Sequence, residues 1–555
     1  MPSWSSWWRW ALVIGCIAVL ADQAQAQPGP ATVSTSQPAP ASTAEAPAST
    51  AEAAPSAIDA PALYQQHCAA CHGVQRLGAM GPALLPESLQ RLRQAEALAV
   101  IRQGRKATQM VGFAGALSSA QTAALAEYIY TPVASILAWG EAEIRASRSA
   151  MPGAAELPAR PSWRADPMNL FVVVEAGDHH VSLLDGDRFE VIHRFASRFA
   201  LHGGPKFSPD GRYVYFGSRD GWITKYDLWN LAVVAEVRAG LNMRNLALSG
   251  DGRWLMAANY LPHTLVLFDS DLQWQRSYAA TTRDGKRSSR VSAVYDALPR
   301  RSFVVAMKDI AEVWEISYDP AAEPIHDGLV HDYKMGEAIA APGYFGVRRT
   351  PLDEPLDDFF FDASYRHVLG ATRPKGDGSP SAQVVNLDVR RRIASLPLAG
   401  MPHLGSGITF ARRGVPVMAS PNLKDGVVQV IDMKTWALLK DIPTPGPGFF
   451  MRSHENTRYA WVDAMMSPSA KDTLSIIDKD TLAVVAQVRE PGRTLAHVEF
   501  TRDGRYALAS VSENDGAIIV YDALTFKEVK RLPMRKPVGK YNVWNKISRS
   551  EGTSH

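Results

Sequence analysis

The segment Ser208-Pro209-Asp210-Gly211-Arg212-Tyr213 occurs in two further close copies, Ser249-Gly250-Asp251-Gly252-Arg253-Trp254 and Thr501-Arg502-Asp503-Gly504-Arg505-Tyr506. Weaker copies lie at 454–459 and 362–366. The Asp-Gly pair favours the positive φ of a tight hairpin, and alternating apolar residues follow it. Each copy therefore predicts a hairpin turn that leads into a half-buried β-strand.

Each repeat unit closes with a second predicted strand that ends in an aspartate. These aspartates lie roughly 42 to 50 residues apart, except for one longer interval. Eight such ends predict an all-β propeller of eight four-stranded blades over 169–555, because radial repetition protects the sheet edges. The longer interval predicts an inserted loop around 330–357, and a seven-bladed ring with one spurious repeat is the alternative. The aspartates are Asp185, Asp227, Asp269, Asp319, Asp388, Asp432, Asp478 and Asp522.

A second, all-α domain is predicted ahead of the propeller, over 59–132, so the chain is multidomain. It contains Cys68-Ala69-Ala70-Cys71-His72, whose spacing lets both thiols attach to the vinyl groups of one haem while His72 binds the iron. A redox dithiol or a zinc half-site would use the same cysteine spacing, but neither explains the histidine. We therefore expect a small class I cytochrome c domain with one covalent haem c.

The haem iron of such a domain needs a sixth ligand, and a methionine thioether would raise its potential. Met110 lies 38 residues after His72, where small cytochromes place this ligand, and it is the preferred candidate. Met80 is the competitor, although its position close to His72 favours packing beside the haem edge.

Three helices are expected in this domain. One leads from Pro61 into the cysteine motif, and one has a face that repeats Leu89, Leu92, Ala95 and Ala99. The third begins at the capping box Ser118-Ser119-Ala120-Gln121 and buries residues that follow it. These buried residues are Leu125, Tyr128 and Ile129.

The first 26 residues are typical of a signal peptide, with Arg9, the apolar run Trp10–Leu20 and a small-residue cleavage site at 24–26. A lipoprotein site at Cys16 is the alternative. We expect a disordered Pro/Ala/Ser linker over 27–58, a second linker over 133–168, and a soluble mature protein in the periplasm without a membrane span. The net charge of +3 does not indicate a nucleic-acid-binding surface.

Several phrases spread over the mature chain, together with the order of the two domains, make the sequence resemble the cytochrome cd1 nitrite reductase superfamily. The phrases are Leu201-His202-Gly203-Gly204, Ser218-Arg219-Asp220-Gly221, Ile223-Thr224-Lys225-Tyr226-Asp227-Leu228-Trp229 and Gly539-Lys540-Tyr541-Asn542-Val543. The resemblance implies a non-covalent haem d1 in the propeller. It makes His202 the proximal iron ligand, Arg244 and Arg198 the partners of haem d1 carboxylates, and Tyr260 an aromatic residue at the same mouth.

The chain departs from the nitrite-reducing branch of that superfamily. The two distal histidines that would protonate nitrite fall, in our alignment, within 296–301 and 357–361, where no histidine occurs. His326, His331 and His367 would restore them only in a shifted alignment. The resemblance therefore favours a related branch, the dihydro-haem d1 dehydrogenases, which oxidise a propionate side chain of the precursor to an acrylate.

In this interpretation three further residues carry the chemistry. His403 would bind the iron from the distal side, His497 would act as general base, and Tyr541 would be its partner. A fourth residue, His454, is interpreted as structural. The expected partners are the haem d1 precursor, a periplasmic electron acceptor and, transiently, a nitrite reductase that receives the product. A nitrite reductase with unusual acid groups and a non-catalytic haem d1 carrier or electron-transfer protein remain the alternative functions.

Overall fold

A computed structural model gives the structure of residues 58–79, 81–89, 92–105, 110–135, 138–198, 200–201, 203–326, 340–373, 381–398, 400–549 and 551–552. Helices dominate the first part of these residues and strands the remainder, which confirms the predicted fold class. The signal peptide and the Pro/Ala/Ser linker lie outside the described residues. Among the described residues, no helix is long and apolar enough to cross a membrane.

The helical domain packs around a core to which its first and last helices contribute. Tyr64 and Leu125 are fully buried in it, together with Ala97 and Ile101. The predicted capping box is confirmed, because the Ser118 hydroxyl accepts from the Gln121 amide at 3.1 Å. The helices, with one that follows the domain, are α1 (Ala60–His67), α2 (Ala69–His72), α3 (Pro86–Leu89), α4 (Gln94–Gln103), α5 (Ser119–Tyr128) and α6 (Glu141–Ser147).

The predicted face of the second helix is wrong. Leu89 ends α3, and α4 begins only at Gln94, so the chain does not form one continuous helix there. Within α4 the buried positions are Ala97 and Ile101, whereas Ala95 and Ala99 are exposed. Counting the apolar positions across this break shifted the inferred face around the helix axis.

Thirty-three strands follow this domain in the described residues. The first eight are β1 (Ser149–Ala150), β2 (Leu170–Glu175), β3 (His180–Asp185), β4 (Glu190–Ala196), β5 (Lys206–Phe207), β6 (Tyr213–Gly217), β7 (Trp222–Asp227) and β8 (Ala232–Arg238). The next eight are β9 (Asn242–Leu248), β10 (Trp254–Leu261), β11 (Thr264–Asp269), β12 (Trp274–Ala279), β13 (Val291–Ala297), β14 (Ser302–Met307), β15 (Glu312–Ser317) and β16 (Val347–Pro351).

The second half of the propeller continues the same pattern and ends in a short helix. Its first eight strands are β17 (Asp358–Phe361), β18 (His367–Ala371), β19 (Ala382–Asn386), β20 (Arg391–Leu396), β21 (Ile408–Arg412), β22 (Val415–Pro421), β23 (Val427–Asp432) and β24 (Leu438–Pro443). The last elements are β25 (Met451–Arg452), β26 (Tyr459–Asp463), β27 (Thr473–Asp478), β28 (Ala483–Arg489), β29 (Leu495–Phe500), β30 (Tyr506–Val511), β31 (Ala517–Asp522), β32 (Glu528–Pro533), β33 (Pro537–Asn542) and α7 (Val543–Ser548).

In the described part of the chain these strands form eight antiparallel sheets, so eight blades are confirmed and the seven-bladed alternative is wrong. Six blades are runs of four consecutive strands, from β9–β12 to β29–β32. The blade β5–β8 carries β1 as a fifth strand, and the blade β2–β4 is completed by β33. The predicted insertion is shorter than expected, because β16 (Val347–Pro351) lies within 330–357; residues 327–339 are outside the described part.

The repeated aspartates end the third strand of most blades, and hydrogen bonds explain their recurrence. Asp227 accepts from the amides of Trp229 and Asn230 at 2.9 and 3.1 Å, which closes the turn that follows β7. Its second carboxylate oxygen accepts from Arg212 at 2.8 Å. A short acidic side chain at this point satisfies turn amides that the sheet cannot pair, so the repeat is a structural device.

Apolar side chains of adjacent sheets pack between the blades. Met256 and Leu267 of one blade meet Phe303 and Trp314 of the next, and all four are buried. Full burial of each such side chain contributes about 1.5–3 kcal/mol. The core is therefore a series of interfaces around the ring, which leaves the centre free.

The final strand closes this ring. β33 pairs with β2 in antiparallel register, with Val172 opposite Tyr541. Asn542, which is fully buried, donates to Asn169 Oδ1 at 3.0 Å and accepts from the Asn545 amide at 3.2 Å. The C-terminal segment is thus tied to the residue that precedes the first blade strand.

We expect Asn542→Ala to lower the free energy of unfolding by about 1–3 kcal/mol, because it removes a hydrogen bond to Asn169 and leaves the buried amide of Asn545 without a partner. Urea denaturation followed by fluorescence measures the change. Lys527→Ala, in an exposed turn, is the matched control and should change stability by less than about 0.5 kcal/mol. Equal denaturation midpoints for the two variants would show that this closing contact adds no stability.

Candidate functional site

The cysteine motif of the helical domain has the geometry of an axial haem ligand with two attachment points. His72 is buried, and its Nδ1 lies 2.8 Å from the carbonyl oxygen of Pro82. A carbonyl only accepts, so Nδ1 carries the proton and the lone pair of Nε2 is left for a metal. Burial lowers the pKa of His72, which favours the neutral imidazole that a metal needs.

Both cysteines of the motif precede this histidine and are free thiols. Burial, with a smaller contribution from Cys71, raises the pKa of Cys68 to about 11. Two unpaired thiols one turn apart fit thioether attachment to a haem. The described residues contain no group of three or more His, Cys, Asp and Glu side chains that would instead bind a metal ion.

The predicted sixth ligand lies in the same domain. Met110 follows α4, and its carbonyl oxygen accepts from the Arg105 amide at 2.9 Å. Its role as a ligand stays a prediction, and its competitor Met80 lies outside the described residues.

The helical domain rests directly on the propeller. Leu77 and Leu85 pack against Leu241 and Leu261 of the propeller. Nearby, Nη1 of Arg290 donates to the carbonyl oxygen of Ser88 at 2.6 Å, and the same guanidinium holds Asp309 at 2.7 Å. The loop that contains Pro82 is therefore fixed against the propeller on the side where Tyr260 lies, since Arg290 is 5.7 Å from the ring of Tyr260.

A cavity of about 1020 Å³ occupies the centre of the ring. Side chains from the inner strands, or from the loops that lead into them, contribute to its wall all the way around. Six cationic and three acidic side chains of the described chain line it, so the cavity favours an anionic ligand. These side chains are Arg198, Arg219, Arg244, Arg452, Lys471 and Lys536, and Glu175, Asp358 and Glu513.

Buried polar atoms without partners support the fit of an anionic macrocycle. Arg452 is almost fully buried, yet its Nε has no hydrogen-bond partner among the described residues. A buried donor without an acceptor costs about 1–3 kcal/mol, which a ligand carboxylate would remove. The cavity thus fits haem d1, which is rich in carboxylates.

Most of the residues predicted from the sequence line this cavity. Arg244, Tyr260, His403, His497 and Tyr541 all do so. Burial opposes the charge of Arg244, but the nearby Tyr260 and Asp358 outweigh it, so that its pKa is raised. His202 lies outside the described residues.

Arg198 also lines the cavity, but it is already engaged. Its Nε donates to Glu236 at 2.9 Å, and its guanidinium lies 4.0 Å from the ring of Trp222. Hydrogen bonding to Glu236 raises the pKa of Arg198, although burial opposes this. The guanidinium of Arg198 is therefore held in a fixed orientation before a ligand binds.

His403 has the same arrangement as His72. Its Nδ1 lies 2.8 Å from the carbonyl oxygen of Phe449, and its Nε2 is 3.7 Å from Asp358 Oδ2. Burial lowers the pKa of His403, against the opposing effect of Asp358. The hydroxyl of Tyr295 donates to the other Asp358 oxygen at 3.1 Å. Gly405 makes this cluster possible, because a Cβ there would lie 1.9 Å from Asp358 Oδ2.

The histidines that might restore a nitrite-reducing site lie elsewhere. His326 lines a separate cleft of about 380 Å³, and Nδ1 of His367 is 3.0 Å from Asp362. Neither lines the central cavity, and His331 is outside the described residues. His454 is buried beside Phe500, away from the cavity lining.

Sequence reasoning missed three residues that line this cavity, Asp358, Arg219 and Arg452, and it missed Lys540, whose Nζ lies 3.4 Å from His497 Nδ1. Arg219 and Lys540 lie in two of the phrases that carried the resemblance, and that was their only signal. Asp358 and Arg452 come close to the other site residues only in the folded ring, so local patterns do not single them out.

We expect Gly81→Ala to displace His72, because a Cβ at position 81 would lie 2.6 Å from Cε1 of its ring. Covalent haem attachment should persist in mass spectrometry, whereas the absorption spectrum and midpoint potential should change. Gly115→Ala is the matched control, because no atom lies within 4 Å of its Cβ. An unchanged spectrum and potential in Gly81→Ala would contradict this placement of His72.

Comparison with known proteins gives a consistent result. Residues 165–331 and 341–546 match the family described as cytochrome D1 heme domain, and 56–129 match cytochrome C oxidase, cbb3-type, subunit III. The dihydro-heme d1 dehydrogenase of Pseudomonas aeruginosa is 55% identical over 496 residues, which cover 89% of this chain and 95% of that protein. The nitrite reductase of Stutzerimonas stutzeri is 24% identical over 88% of this chain and 92% of its own.

A solved structure shows the same similarity. Dihydro-heme d1 dehydrogenase NirN in complex with DHE superposes with a TM-score of 0.73 at 54% identity, over 88% of this chain and 99% of the other. The family match covers more than half of the sequence, and the resemblance inferred from the sequence is confirmed. The chain therefore belongs to the cytochrome D1 heme domain family.

Proposed function

We propose that this protein is an oxidoreductase that converts dihydro-haem d1 to haem d1 by oxidising one propionate side chain to an acrylate. The observation that carries the proposal is the cationic central cavity, which His403, His497 and Tyr541 line together, in a propeller that contacts the cytochrome domain. Its similarity to a dihydro-heme d1 dehydrogenase supports the choice of substrate. Two electrons and two protons must leave the side chain in this reaction.

The cationic residues bind the macrocycle. Arg244 and Arg452 offer their guanidinium groups to its carboxylates, and Arg198 adds one held in place by Glu236. Charge-assisted hydrogen bonds of this kind are about twice as strong as neutral ones. Tyr260 contributes an aromatic surface on the side of the cavity that faces the cytochrome domain.

Two histidines bind the iron of the substrate. His202 is the proximal ligand by its place in the shared phrase, between residues 201 and 203 that line the cavity. His403 is the distal ligand, because its Nδ1–H points at the carbonyl of Phe449 and leaves Nε2 for the iron. Asp358, at 3.7 Å from that nitrogen, keeps the imidazole in place.

The side chain that is oxidised lies against the wall formed by His497 and Tyr541. The two rings are 5.3 Å apart, and both residues line the cavity. The assignment of His497 as general base, with Tyr541 as its partner, comes from the sequence and stays a prediction.

Electrons leave through the cytochrome domain. A haem attached to Cys68 and Cys71 would supply one-electron chemistry there, with Met110 as the second axial ligand. The contact between Arg290 and Ser88 holds this domain on the cavity side of the propeller. We place the protein in the periplasm, after removal of a signal peptide, where an electron acceptor reoxidises it and a nitrite reductase takes the product.

Loading the purified protein with dihydro-haem d1 and an electron acceptor tests the proposal. We expect the mass of the macrocycle to fall by two hydrogens and the haem d1 spectrum to appear. An unchanged macrocycle with turnover of nitrite to nitric oxide would support a nitrite reductase instead. Binding without either reaction would support a haem d1 carrier, and both results contradict the proposal.

We expect Arg244→Met to weaken the binding of dihydro-haem d1 by about 10- to 100-fold, because a hydrogen bond between charged groups contributes about 1.5–3 kcal/mol. Spectroscopic titration measures the dissociation constant. Arg253→Met removes an exposed arginine from a turn of the same blade and is the matched control. A dissociation constant that is equal in both variants would exclude Arg244 from the binding site.

A further inference from the structure

Three histidines of the two sites differ in the group that faces their Nδ1 atom. In His72 and His403 this group is a backbone carbonyl, which forces the proton onto Nδ1 and leaves Nε2 as an acceptor. In His497 the group is the amine of Lys540, at 3.4 Å from Nδ1. His497 therefore lacks the backbone carbonyl that fixes the tautomer of the other two histidines.

Lys540 is fully buried in β33 and has few partners. Its Nζ also donates to the carbonyl oxygen of His497, and no carboxylate of the described chain lies within ion-pair distance of it. Burial lowers the pKa of Lys540 well below its usual range, and Glu499 opposes this. An ammonium has three N–H groups and an amine has two, so in either form one N–H is available for Nδ1 after the carbonyl is satisfied.

The backbone of His497 is shaped to keep its ring at this position. Its φ of 49° is in the left-handed region, and the pairing of β29 with β30 shifts register between Ala496 and Glu499. Such a conformation costs about 1–3 kcal/mol for a residue other than glycine. The amide of His497 donates to Asp463 Oδ2 at 3.3 Å, which helps to hold this bulge in place.

The charged groups around His497 oppose a second proton on its ring. Lys540 of β33, Arg452 of β25 and Lys546 of α7 are the cations that face it, and Glu499 and Asp463 are the acidic neighbours of this group. Burial, followed by these three cations, lowers the pKa of His497 well below its usual range. A neutral imidazole is strongly favoured, and an imidazolium formed during the reaction would be costly.

The remaining ring nitrogen, Nε2, has no hydrogen-bond partner among the described residues. The rings of Phe450 and Tyr541 pack against that of His497, with centroids 4.6 and 5.3 Å from its own. Both of these rings line the cavity. A substrate side chain that parts them reaches a buried nitrogen whose hydrogen-bonding capacity is unused.

We infer that Lys540 is a positioning residue that holds His497 with its single ring proton on Nε2, so that His497 meets the substrate as a hydrogen-bond donor to a carboxylate. This inference rests on the proposed function for the identity of the substrate. It changes the role predicted for His497 from general base to binding residue.

The tautomer is measured without substrate. In protein labelled with ¹⁵N-histidine and reduced so that its haem is diamagnetic, the signals of His497 are assigned by their loss in His497→Gln. We expect a protonated, pyrrole-type Nε2 and an unprotonated, pyridine-type Nδ1, and a change in this pattern in Lys540→Met. A protonated Nδ1 with a bare Nε2 in the unmodified protein would overturn the inference.

The role is measured with the loaded enzyme. His497→Gln keeps an N–H donor but has no basic nitrogen, whereas His497→Leu has neither. We expect kcat/KM to fall by less than about 10-fold in His497→Gln and by about 100-fold, mainly through KM, in His497→Leu. Equal losses of kcat in the two variants would show that His497 is a base and overturn the inference.

A double-mutant cycle tests whether Lys540 acts through His497. We expect Lys540→Met alone to lower kcat/KM by about 10-fold and to have no further effect in the His497→Gln background. Additive losses would overturn the positioning role. If the Nε2–H tautomer is found but dihydro-haem d1 is neither bound nor oxidised, the proposed function fails while the assignment of the tautomer to Lys540 stands.

Discussion

The antiparallel pairing of β33 with β2 is the interaction on which the rest of the structure depends. It joins the last strand of the chain to the first blade and turns eight separate sheets into a closed ring. The same strand carries Lys540 and Tyr541, so closure of the ring and completion of the cavity wall are one event. A chain that lacked this pairing would have an unprotected sheet edge as well as an incomplete site.

Chemistry in this molecule is controlled through the atoms that face each imidazole. Carbonyl oxygens behind His72 and His403 turn both rings into neutral acceptors suited to iron, although the two lie in different domains. The amine behind His497 gives the opposite polarity within the same cavity. One residue type thus serves two purposes, and the distinction is made by groups that never touch the substrate.

The blades and the haem attachment motif could be predicted from the sequence because both depend on local spacing. Asp-Gly turns fix a hairpin within six residues, and a Cys-x-x-Cys-His motif fixes two thiols and an imidazole within two helical turns. The predicted cavity residues were identified through the phrases shared with the cytochrome cd1 superfamily. No local pattern in the sequence indicates that these residues come together in the folded ring. Arg452 and Asp358 escaped this reasoning because they lie more than ninety residues apart in sequence and line one cavity only after the blades have packed into a ring.

The segment between the two domains shows another limit of sequence analysis. The linker predicted over 133–168 contains α6 and β1, and β1 pairs with β8 through Ser149 and Ala150. Trp139 donates to the carbonyl of Arg238 at 3.0 Å, and Arg148 donates to that of Asp271. Ile144 and Trp139 of this segment also pack into the propeller core, but they form no repeating apolar pattern, and the hydrogen bonds are made to carbonyls that are distant in sequence.

That fifth strand has a consequence for anyone who wishes to exchange electron-carrying modules between proteins. The segment that follows the helical domain is not a flexible linker. It forms β1, which pairs with the outermost strand of one blade before the chain enters the propeller. In a chimera that replaces the domain, the junction therefore has to lie before Trp139, so that α6 and β1 are preserved. A junction placed after Trp139 would disrupt the pairing of β1 with β8. The replaced domain would then no longer be held at a fixed distance from the propeller.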